Sequence, residues 1–288
     1  MRRVILLLLL GLGSGAYGSD CPICGCAPGA GTLGILPWYD THALGLWAGG
    51  YAFDYPGYET RDQFYQIDLW GRWYPRPRWQ VMGALPLRQS MRTDSTGRYT
   101  DRGLGDATLT LSYAVLRRSG ERWAHQLMLG GGIKLPTGAR PVTDLPAAFA
   151  PGSGSVDALA TLVYQVRRGP WGLSTQAAYR WNTANNQGYR IGDPVQVQTM
   201  LFYWQSGERA GLMPYAGMAW EYQGRDIARG YYQDGTGGSG VFAHLGADVV
   251  WKQYALGLRG EVPVYQHYGQ GAIVAAPRVR VQFSKYFL

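Results

Sequence analysis

The sequence has 288 residues, of which 46% are hydrophobic, 14% are aromatic and only 16% are charged, with a formal net charge of +8. A helical membrane protein needs apolar runs of about 20 residues, and the only continuous apolar run lies at the N-terminus, which excludes a helical bundle. The arginines are spread along the chain rather than clustered, which argues against nucleic-acid binding. Aromatic residues and glycine, with polar and apolar residues evenly mixed, are typical of membrane β-strands.

The N-terminus predicts export, with a signal peptide over residues 1–18. Two arginines precede an apolar run, and Ala16-Tyr17-Gly18 provides small residues before a cleavage site. The apolar run is too short to span a bilayer. Acylation of Cys21, as in a lipoprotein, is disfavoured because Asp20 stands beside it.

All three cysteines lie in residues 19–43, a segment that we expect to hang in the periplasm or to enter the barrel as a plug. Cys21, Cys24 and Cys26 have a spacing that could bind Cu(I) or zinc, with His42 as a further zinc ligand. The alternative is one disulfide and one free thiol in an oxidising periplasm. An odd number of cysteines fits that alternative poorly, and both interpretations stay open.

Residues 44–288 predict twelve strands separated by turn residues and charges. The predicted strands are 44–53, 62–73, 78–88, 104–116, 122–135, 155–167, 171–182, 195–205, 211–223, 240–251, 253–264 and 277–287.

The connections between these strands alternate in length, apart from a first loop of intermediate size at 54–61. The short ones are 74–77, 117–121, 168–170, 206–210 and a tight turn at Lys252. The long ones are 89–103, 136–154, 183–194, 224–239 and 265–276. Outer-membrane barrels have short periplasmic turns and long extracellular loops. The alternation therefore predicts a closed transmembrane antiparallel β-barrel in the bacterial outer membrane, with both mature termini in the periplasm.

The two faces of the predicted strands differ. In strand 104–116, Leu109, Leu111 and Tyr113 alternate with Thr108 and Thr110, which indicates one apolar and one polar face. Bulky aromatic residues beside the short turns predict an interfacial girdle facing outer-membrane lipid. These girdle residues are Trp73, Trp79, Trp123, Trp171, Trp204, Trp251 and Tyr254. The chain ends on Leu288 instead of the aromatic residue that barrel insertion machinery reads in similar proteins, although Phe287 precedes it.

Charged residues on the polar face are expected to point into the lumen, because a charge facing lipid costs about 2–4 kcal/mol near the bilayer midplane. They either hold the barrel wall together or select a permeant. The predicted lumen-facing residues are Asp68, Arg72, Asp106, Lys134, Asp157, Arg180, Glu221, Asp248, Arg259, Glu261, Arg278 and Arg280. Arg278 and Arg280 share a face near the long-loop end, which predicts a preference for anions if the pore is open.

Three motifs carry a resemblance to a known family. They are Gly103-Leu104-Gly105-Asp106, then Gly132-Ile133-Lys134-Leu135-Pro136-Thr137-Gly138, and Gly152-Ser153-Gly154-Ser155 followed by Asp157 and Tyr164. In order and spacing they resemble the outer-membrane transporter family named for the MetA pathway of phenol degradation. The resemblance covers roughly residues 45–288. It implies an outer-membrane barrel that passes small, often aromatic, molecules, while the motif residues themselves are expected to shape strand ends.

The leading functional hypothesis is an outer-membrane channel or transporter for small aromatic or anionic molecules. One alternative is a barrel-anchored periplasmic metal-handling protein that uses the cysteine segment. Another is a structural or adhesive barrel that acts through its long loops. No enzyme is expected, because the four histidines stand in no Ser/His/Asp order.

Overall fold

The computed structural model describes residues 41–138 and 149–287, and most of these residues are in β-strands. No helix in this part of the chain is long and apolar enough to cross a membrane. The strands are β1 (His42–Tyr55), β2 (Thr60–Arg76), β3 (Trp79–Asp94), β4 (Gly97–Leu104), β5 (Thr108–Ser119), β6 (Ala124–Lys134), β7 (Asp157–Arg168), β8 (Trp171–Trp181), β9 (Tyr189–Arg190), β10 (Pro194–Tyr203), β11 (Gln205–Ser206), β12 (Gly211–Gln223), β13 (Ile227–Ala228), β14 (Tyr231–Tyr232), β15 (Gly238–Trp251), β16 (Tyr254–Tyr268), β17 (Val274–Ala275) and β18 (Arg278–Phe287).

Twelve of these strands form a closed antiparallel barrel, in the order in which they follow one another along the chain. They are β1, β2, β3, β5, β6, β7, β8, β10, β12, β15, β16 and β18. The ring closes where β1 pairs with β18, from His42 opposite Phe287 to Gly50 opposite Val279. All twelve predicted strands are therefore confirmed, with their ends shifted by a few residues. The predicted signal peptide and cysteine segment lie outside the described residues, apart from residues 41–43, of which His42 and Ala43 already belong to β1.

The loop predicted at 89–103 is wrong in part, because most of it is strand. β3 continues to Asp94 and turns back through Gly97 into β4, which pairs with it from Asp94–Gly97 to Leu87–Leu104. The next barrel strand begins at Thr108 rather than at 104. Gly105 donates its N–H to Pro86 O at 2.7 Å, and the register moves by one residue between Leu104 and Thr108. A bulge therefore separates this hairpin from β5.

Two other long loops, predicted at 183–194 and 224–239, contain a small sheet of their own. β13 pairs with both β9 and β14, and these three short strands form a sheet separate from the barrel. Asp226 links the two loops, since its carboxylate accepts from Tyr189 Oη at 2.5 Å and from Gly192 N at 2.8 Å. These loops are thus ordered against each other at the end of the barrel.

The alternation of faces follows the prediction. In β5, Thr108, Thr110 and Ser112 are buried inside the barrel, whereas Leu109 and Leu111 are exposed on its outer wall. Five of the seven predicted girdle residues are exposed and Tyr254 is half-buried. The prediction is wrong for Trp204, which packs against the buried cluster of Met200 and Phe202 inside the barrel. Neighbouring rings of the girdle touch, as Trp251 and Tyr254 do with centroids 5.5 Å apart. An apolar outer wall with aromatic residues beside the short turns suits a membrane interface.

Large inward side chains are accommodated by inward glycines on the adjacent strand. Gly45 lies opposite Trp70, Gly172 opposite Phe202, and Gly246 opposite Tyr215. A Cβ on Gly172 would come within 2.6 Å of Cε1 of Phe202, far inside van der Waals contact. Because these glycines have no side chain, the large rings pack flat against the inner wall of the barrel.

Two apolar clusters occupy the interior, one near each end. The turn-end cluster, near the short turns, contains Trp47, Trp70, Met200, Phe202, Met213, Tyr215 and Tyr286. The loop-end aromatic cluster, near the long loops, contains Tyr51, Phe53, Phe64, Phe149, Phe242, Tyr268 and Ile273. Buried polar residues, among them Asp68, Gln198, Arg259 and Glu261, lie on the strands between them.

Candidate functional site: the barrel interior and its loop-end cavity

The structure buries eleven of the twelve charged residues predicted on the polar face, and Arg280 is half-buried. The buried ones are Asp68, Arg72, Asp106, Lys134, Asp157, Arg180, Glu221, Asp248, Arg259, Glu261 and Arg278. They do not converge on one site. Two groups form ion pairs within themselves, Arg180 lies 3.9 Å from Asp157 of the first group, and the remaining residues contact polar or aromatic neighbours.

The first group, which we call the clasp, consists of Asp106, Gly138, Lys134, Ser153 and Asp157. The Asp106 carboxylate accepts from Lys134 Nζ at 2.8 Å, from Ser153 N at 2.8 Å, from Ser153 Oγ at 2.6 Å and from Gly138 N at 3.1 Å. Lys134 Nζ also lies 2.7 Å from Asp157. The clasp thus joins the bulge after β4, the end of β6 and the segment before β7.

The electrostatics of the clasp favour an ionised Asp106. Burial alone would raise the pKa of this carboxyl, but the ammonium of Lys134 and the donors of Ser153 outweigh burial and hold the pKa below its usual range. Thr137 supports the same junction, because its hydroxyl accepts from Ala107 N at 2.8 Å and donates to Gly105 O at 3.3 Å. The residues of the three sequence motifs therefore meet here and fasten chain segments together.

The second group of charges lies on β12, β16 and β18. Arg278 donates to both carboxylate oxygens of Glu221, at 2.8 and 3.1 Å, and Arg259 lies 2.7 Å from Glu261. Arg278 also stands over the ring of Phe242, with its guanidinium carbon 3.7 Å from the ring centroid. The guanidinium of Arg278 is therefore neutralised by a carboxylate. This pairing removes the basis for expecting an anion preference from Arg278.

The other predicted residues have more local surroundings. Asp68 accepts from Gln66 Nε2 at 2.7 and 2.9 Å, and Asp248 accepts from Gln282 at 2.8 Å. The guanidinium of Arg72 lies 5.6 Å from the ring of Tyr74. In the clasp region, Arg180 donates to Asn182 at 2.6 Å. Arg280 lies over the ring of Trp47, at 5.7 Å.

The loop-end aromatic cluster is a continuous group of ring contacts. Tyr51 stacks on Phe64 at 5.0 Å, Phe64 meets Phe149 at 5.1 Å, and Phe53 meets Tyr268 edge-on at 5.8 Å. Such pairs contribute about 0.5–1.5 kcal/mol each beyond the area they bury. Phe149 reaches this cluster from the long connection between β6 and β7, three residues before Gly152 of the clasp region. The clasp thereby helps to hold Phe149 inside the mouth of the barrel.

A cavity of about 420 Å³ adjoins this cluster at the loop end of the barrel. Its volume lies within the range of about 300–1,000 Å³ that is typical of small-molecule sites. Phe53, Phe64 and Phe149 provide apolar lining, and the loop residues 233–237 line it as well.

The polar lining of the cavity consists mainly of paired groups. Arg92 donates from Nε and Nη2 to the two oxygens of Asp62, at 2.8 and 2.7 Å, and its guanidinium carbon lies 4.9 Å from the Phe149 ring. Gln223 donates from Nε2 to Asp226 Oδ1 at 3.3 Å. The arrangement is an aromatic pocket with a few oriented polar groups, which suits a small aromatic ligand.

Sequence reasoning missed this cavity. Arg92 and Phe149 both fell in predicted loops, where no two-residue periodicity assigns a face to a side chain. Asp62 stood at the start of a predicted strand, and its inward parity could have marked it as a charge in need of a partner.

The described residues, 41–138 and 149–287, contain no group of three or more His, Cys, Asp or Glu side chains arranged to hold a metal ion. Cys21, Cys24 and Cys26 lie outside those residues, so Cu(I) or zinc binding there stays a prediction. His42, proposed as a further ligand, accepts a hydrogen bond from Tyr74 N at Nδ1, 3.2 Å away.

Comparison with known proteins places the chain in a family. The sequence model of the family described as "Putative MetA-pathway of phenol degradation" matches residues 64–225, more than half of the chain. No match was found among curated proteins.

Two solved structures show the same fold at low sequence identity. An outer membrane channel from Pseudomonas putida F1 is 15% identical with a TM-score of 0.64, covering 86% of this chain and 96% of that one. The β domain of the Bordetella autotransporter BrkA is 12% identical with a TM-score of 0.51, covering 86% of this chain and 99% of that one. The fold is thus that of bacterial outer-membrane β-barrels.

Proposed function

The chain belongs to the family of the MetA pathway of phenol degradation, and from that premise we propose that it is an outer-membrane channel for small, neutral aromatic molecules. The observation that carries the proposal is the aromatic cavity at the loop end of a closed barrel. The fold neighbour from Pseudomonas putida is described as an outer membrane channel, which agrees with a transport role rather than an enzymatic one.

The charges of the interior support a neutral permeant. Lys134 is neutralised by Asp106 and Asp157, and Arg278 by Glu221. Buried ions that already have partners gain little from a charged solute, because their lost hydration is offset within the wall. The predicted lumen-facing charges therefore act mainly to hold the barrel wall and its loops, and aromatic surface receives the permeant.

The proposal includes an orientation in the membrane. The short turns and both mature termini face the periplasm, and the long loops face the medium, so the cavity lies at the outer entrance. The alternation of short and long connections supports this orientation, since outer-membrane barrels have short periplasmic turns and longer extracellular loops. Outer-membrane lipid and the barrel insertion machinery are the partners that this location implies.

The test is uptake by Gram-negative cells with and without the expressed protein. Initial accumulation of radiolabelled phenol, supplied at low concentration, should rise with expression in cells whose outer membrane is intact. The same cells with a chemically permeabilised outer membrane should show no difference. If expression leaves uptake unchanged in intact cells while the barrel is correctly inserted, the channel proposal is refuted.

A further inference from the structure

A groove on the outer wall of the barrel lies on the side that faces lipid. It has a volume of about 780 Å³ and crosses five adjacent strands, from β4 through β3, β2 and β1 to β18. Ile67, Leu87 and Val281 line it and are exposed on the outer wall. Four strand spacings of about 4.8 Å give the groove a length of about 19 Å, which compares with the roughly 15 Å that acyl chains fill in one leaflet.

Small residues of β1 form the floor of the groove. Ala48 and Gly49 line it, and Gly50 follows them in the strand. A Cβ on Gly50 would come within 2.7 Å of Cδ1 of Tyr65, so the Tyr65 ring lies across Gly50 and forms one side of the groove. The floor is low and the sides are aliphatic or aromatic, so an acyl chain can pack closely along it.

One end of the groove carries a positive charge. Arg102 and Gln89 line that end and lie opposite each other on β4 and β3. Arg102 is exposed, and its guanidinium makes no hydrogen bond or ion pair with any residue in the part of the chain that the structure describes. Arg98, on the same face of β4, donates to Sδ of Met91 at 2.9 Å. Because that acceptor is uncharged, the charge of Arg98 also remains uncompensated.

The height of Arg102 matches the level of the lipid headgroups. Gln89, its partner on β3, lies ten residues after Trp79, which stands beside a short turn at the other end of the strand. At about 3.4 Å per residue and a tilt of about 40°, this distance rises about 25 Å along the barrel axis. The apolar band of such barrels is about 25 Å tall. Arg102 therefore stands where the apolar band ends on the long-loop side.

This sector of the rim differs from the others. On β8, β12 and β16, the exposed outward residues near the long loops include the aromatic residues Tyr179, Trp181, Trp220, Tyr222 and Tyr265. On β4 the outward positions are Arg98, Thr100 and Arg102. Aromatic belts suit the membrane interface in general, whereas a guanidinium binds phosphate through two parallel N–H donors. The sector thus combines a phosphate ligand with an apolar groove below it.

We propose that this groove binds lipopolysaccharide of the outer leaflet, with an acyl chain of its lipid A in the apolar part and a lipid A phosphate on Arg102. Lipid A combines phosphates with several acyl chains, and it lies in the leaflet on the long-loop side. The inference goes beyond the transport function and rests only on the proposed orientation of the barrel.

The test is native mass spectrometry of the purified barrel in detergent, titrated with bisphosphorylated lipid A. Arg102→Gln should weaken binding about fivefold, the contribution of one arginine beside an anionic lipid surface. Arg102→Lys should keep part of the affinity, because the charge remains while the two-donor geometry is lost. Arg118→Gln makes the same change at an exposed arginine near a short turn and should bind lipid A as the wild-type protein does.

Further ligands and variants separate the two parts of the site. Fully dephosphorylated lipid A should bind the wild-type protein at least about fivefold more weakly and should not distinguish it from Arg102→Gln. Ala48→Phe fills the groove and should weaken the binding of both forms of lipid A. Ala158→Phe makes the same change at an exposed alanine of β7 and should not. Inorganic phosphate alone should not bind, and phosphatidylglycerol should bind more weakly than lipid A.

Equal losses in Arg102→Gln and Arg118→Gln would overturn the proposal, as would equal binding of lipid A and its dephosphorylated form or binding that Ala48→Phe leaves unchanged. Competition by inorganic phosphate would assign Arg102 to free phosphate, and equal affinity for phosphatidylglycerol would reduce the site to a general attraction of anionic lipid, so either result would also overturn it. The measurement involves no transport. Its failure would leave the channel proposal standing, and failed uptake would leave the lipid site standing.

Discussion

Replacing Asp106 with asparagine tests whether the clasp holds the loop end of the barrel together. The carboxylate accepts four hydrogen bonds, one of them from Lys134, and is 7% exposed. Removing one partner of a buried ion pair costs about 3–5 kcal/mol. Lys134 keeps Asp157 at 2.7 Å, so we expect a loss near the lower end, about 3 kcal/mol.

The assay is urea unfolding of the barrel inserted in lipid vesicles, with Asp54→Asn as the matched control. Asp54 pairs with Arg61 at 3.3 Å, and both side chains are more than a third exposed, so its loss should cost at most about 1 kcal/mol. Equal free energies of unfolding for the two variants would refute the reasoning. Protease cleavage near Phe149 should also become faster in Asp106→Asn only.

The clasp has a pH dependence whose sign follows from the lowered pKa of Asp106. A carboxyl with a depressed pKa in the folded state stabilises the protein above its ordinary pKa of about 3.9. That stabilisation is lost as the pH falls through the lower, folded-state pKa. Wild-type stability should therefore approach that of Asp106→Asn in acid, and a constant difference between them would contradict the assignment.

Three other predictions concern packing, topology and the cysteines. Gly172→Ala should destabilise the barrel by about 1–3 kcal/mol through overpacking against Phe202, Phe202→Leu should restore part of that loss, and Gly260→Ala, where a Cβ meets nothing within 4 Å, should cost less in the same unfolding assay. An epitope inserted after Gly97 or Gly237 should be labelled on intact cells and one after Gly120 should not, and the reverse pattern would overturn the orientation. If the cysteines bind metal, the reduced protein should hold near-stoichiometric Cu(I) or zinc and Cys24→Ser with Cys26→Ser should lose it, whereas a quantitative disulfide without metal would end that hypothesis.

The strands were predictable for two reasons. Lipid contacts only the outer face of each strand, which produces the two-residue repeat of apolar and polar residues. Short connections at one end of the barrel and long ones at the other mark where each strand begins and ends. The alternation of Leu109 and Thr110 is enough to assign the first to the outer wall and the second to the interior. The hairpin through Gly97 was not predicted, because its strands are polar on both faces where they rise beyond the apolar wall. With polar residues on both faces, the sequence of this hairpin lacks the alternation of apolar and polar residues that identifies a strand.

The candidate site was less accessible to sequence reasoning for a physical reason. Asp106, Lys134 and Ser153 were recognised as motif residues, but their meeting depends on a bulge and a long connection, not on strand parity. Phe149 enters the aromatic cluster from that connection. Such contacts join loops whose relative placement no local pattern encodes.

The most direct test of the central claim compares phenol and benzoate uptake by the same cells at neutral pH. We predict that expression of the protein adds a saturable component to the uptake of phenol and little or none to that of benzoate, because the entrance is aromatic and its cations are paired. An added benzoate flux equal to or larger than that of phenol would contradict the account.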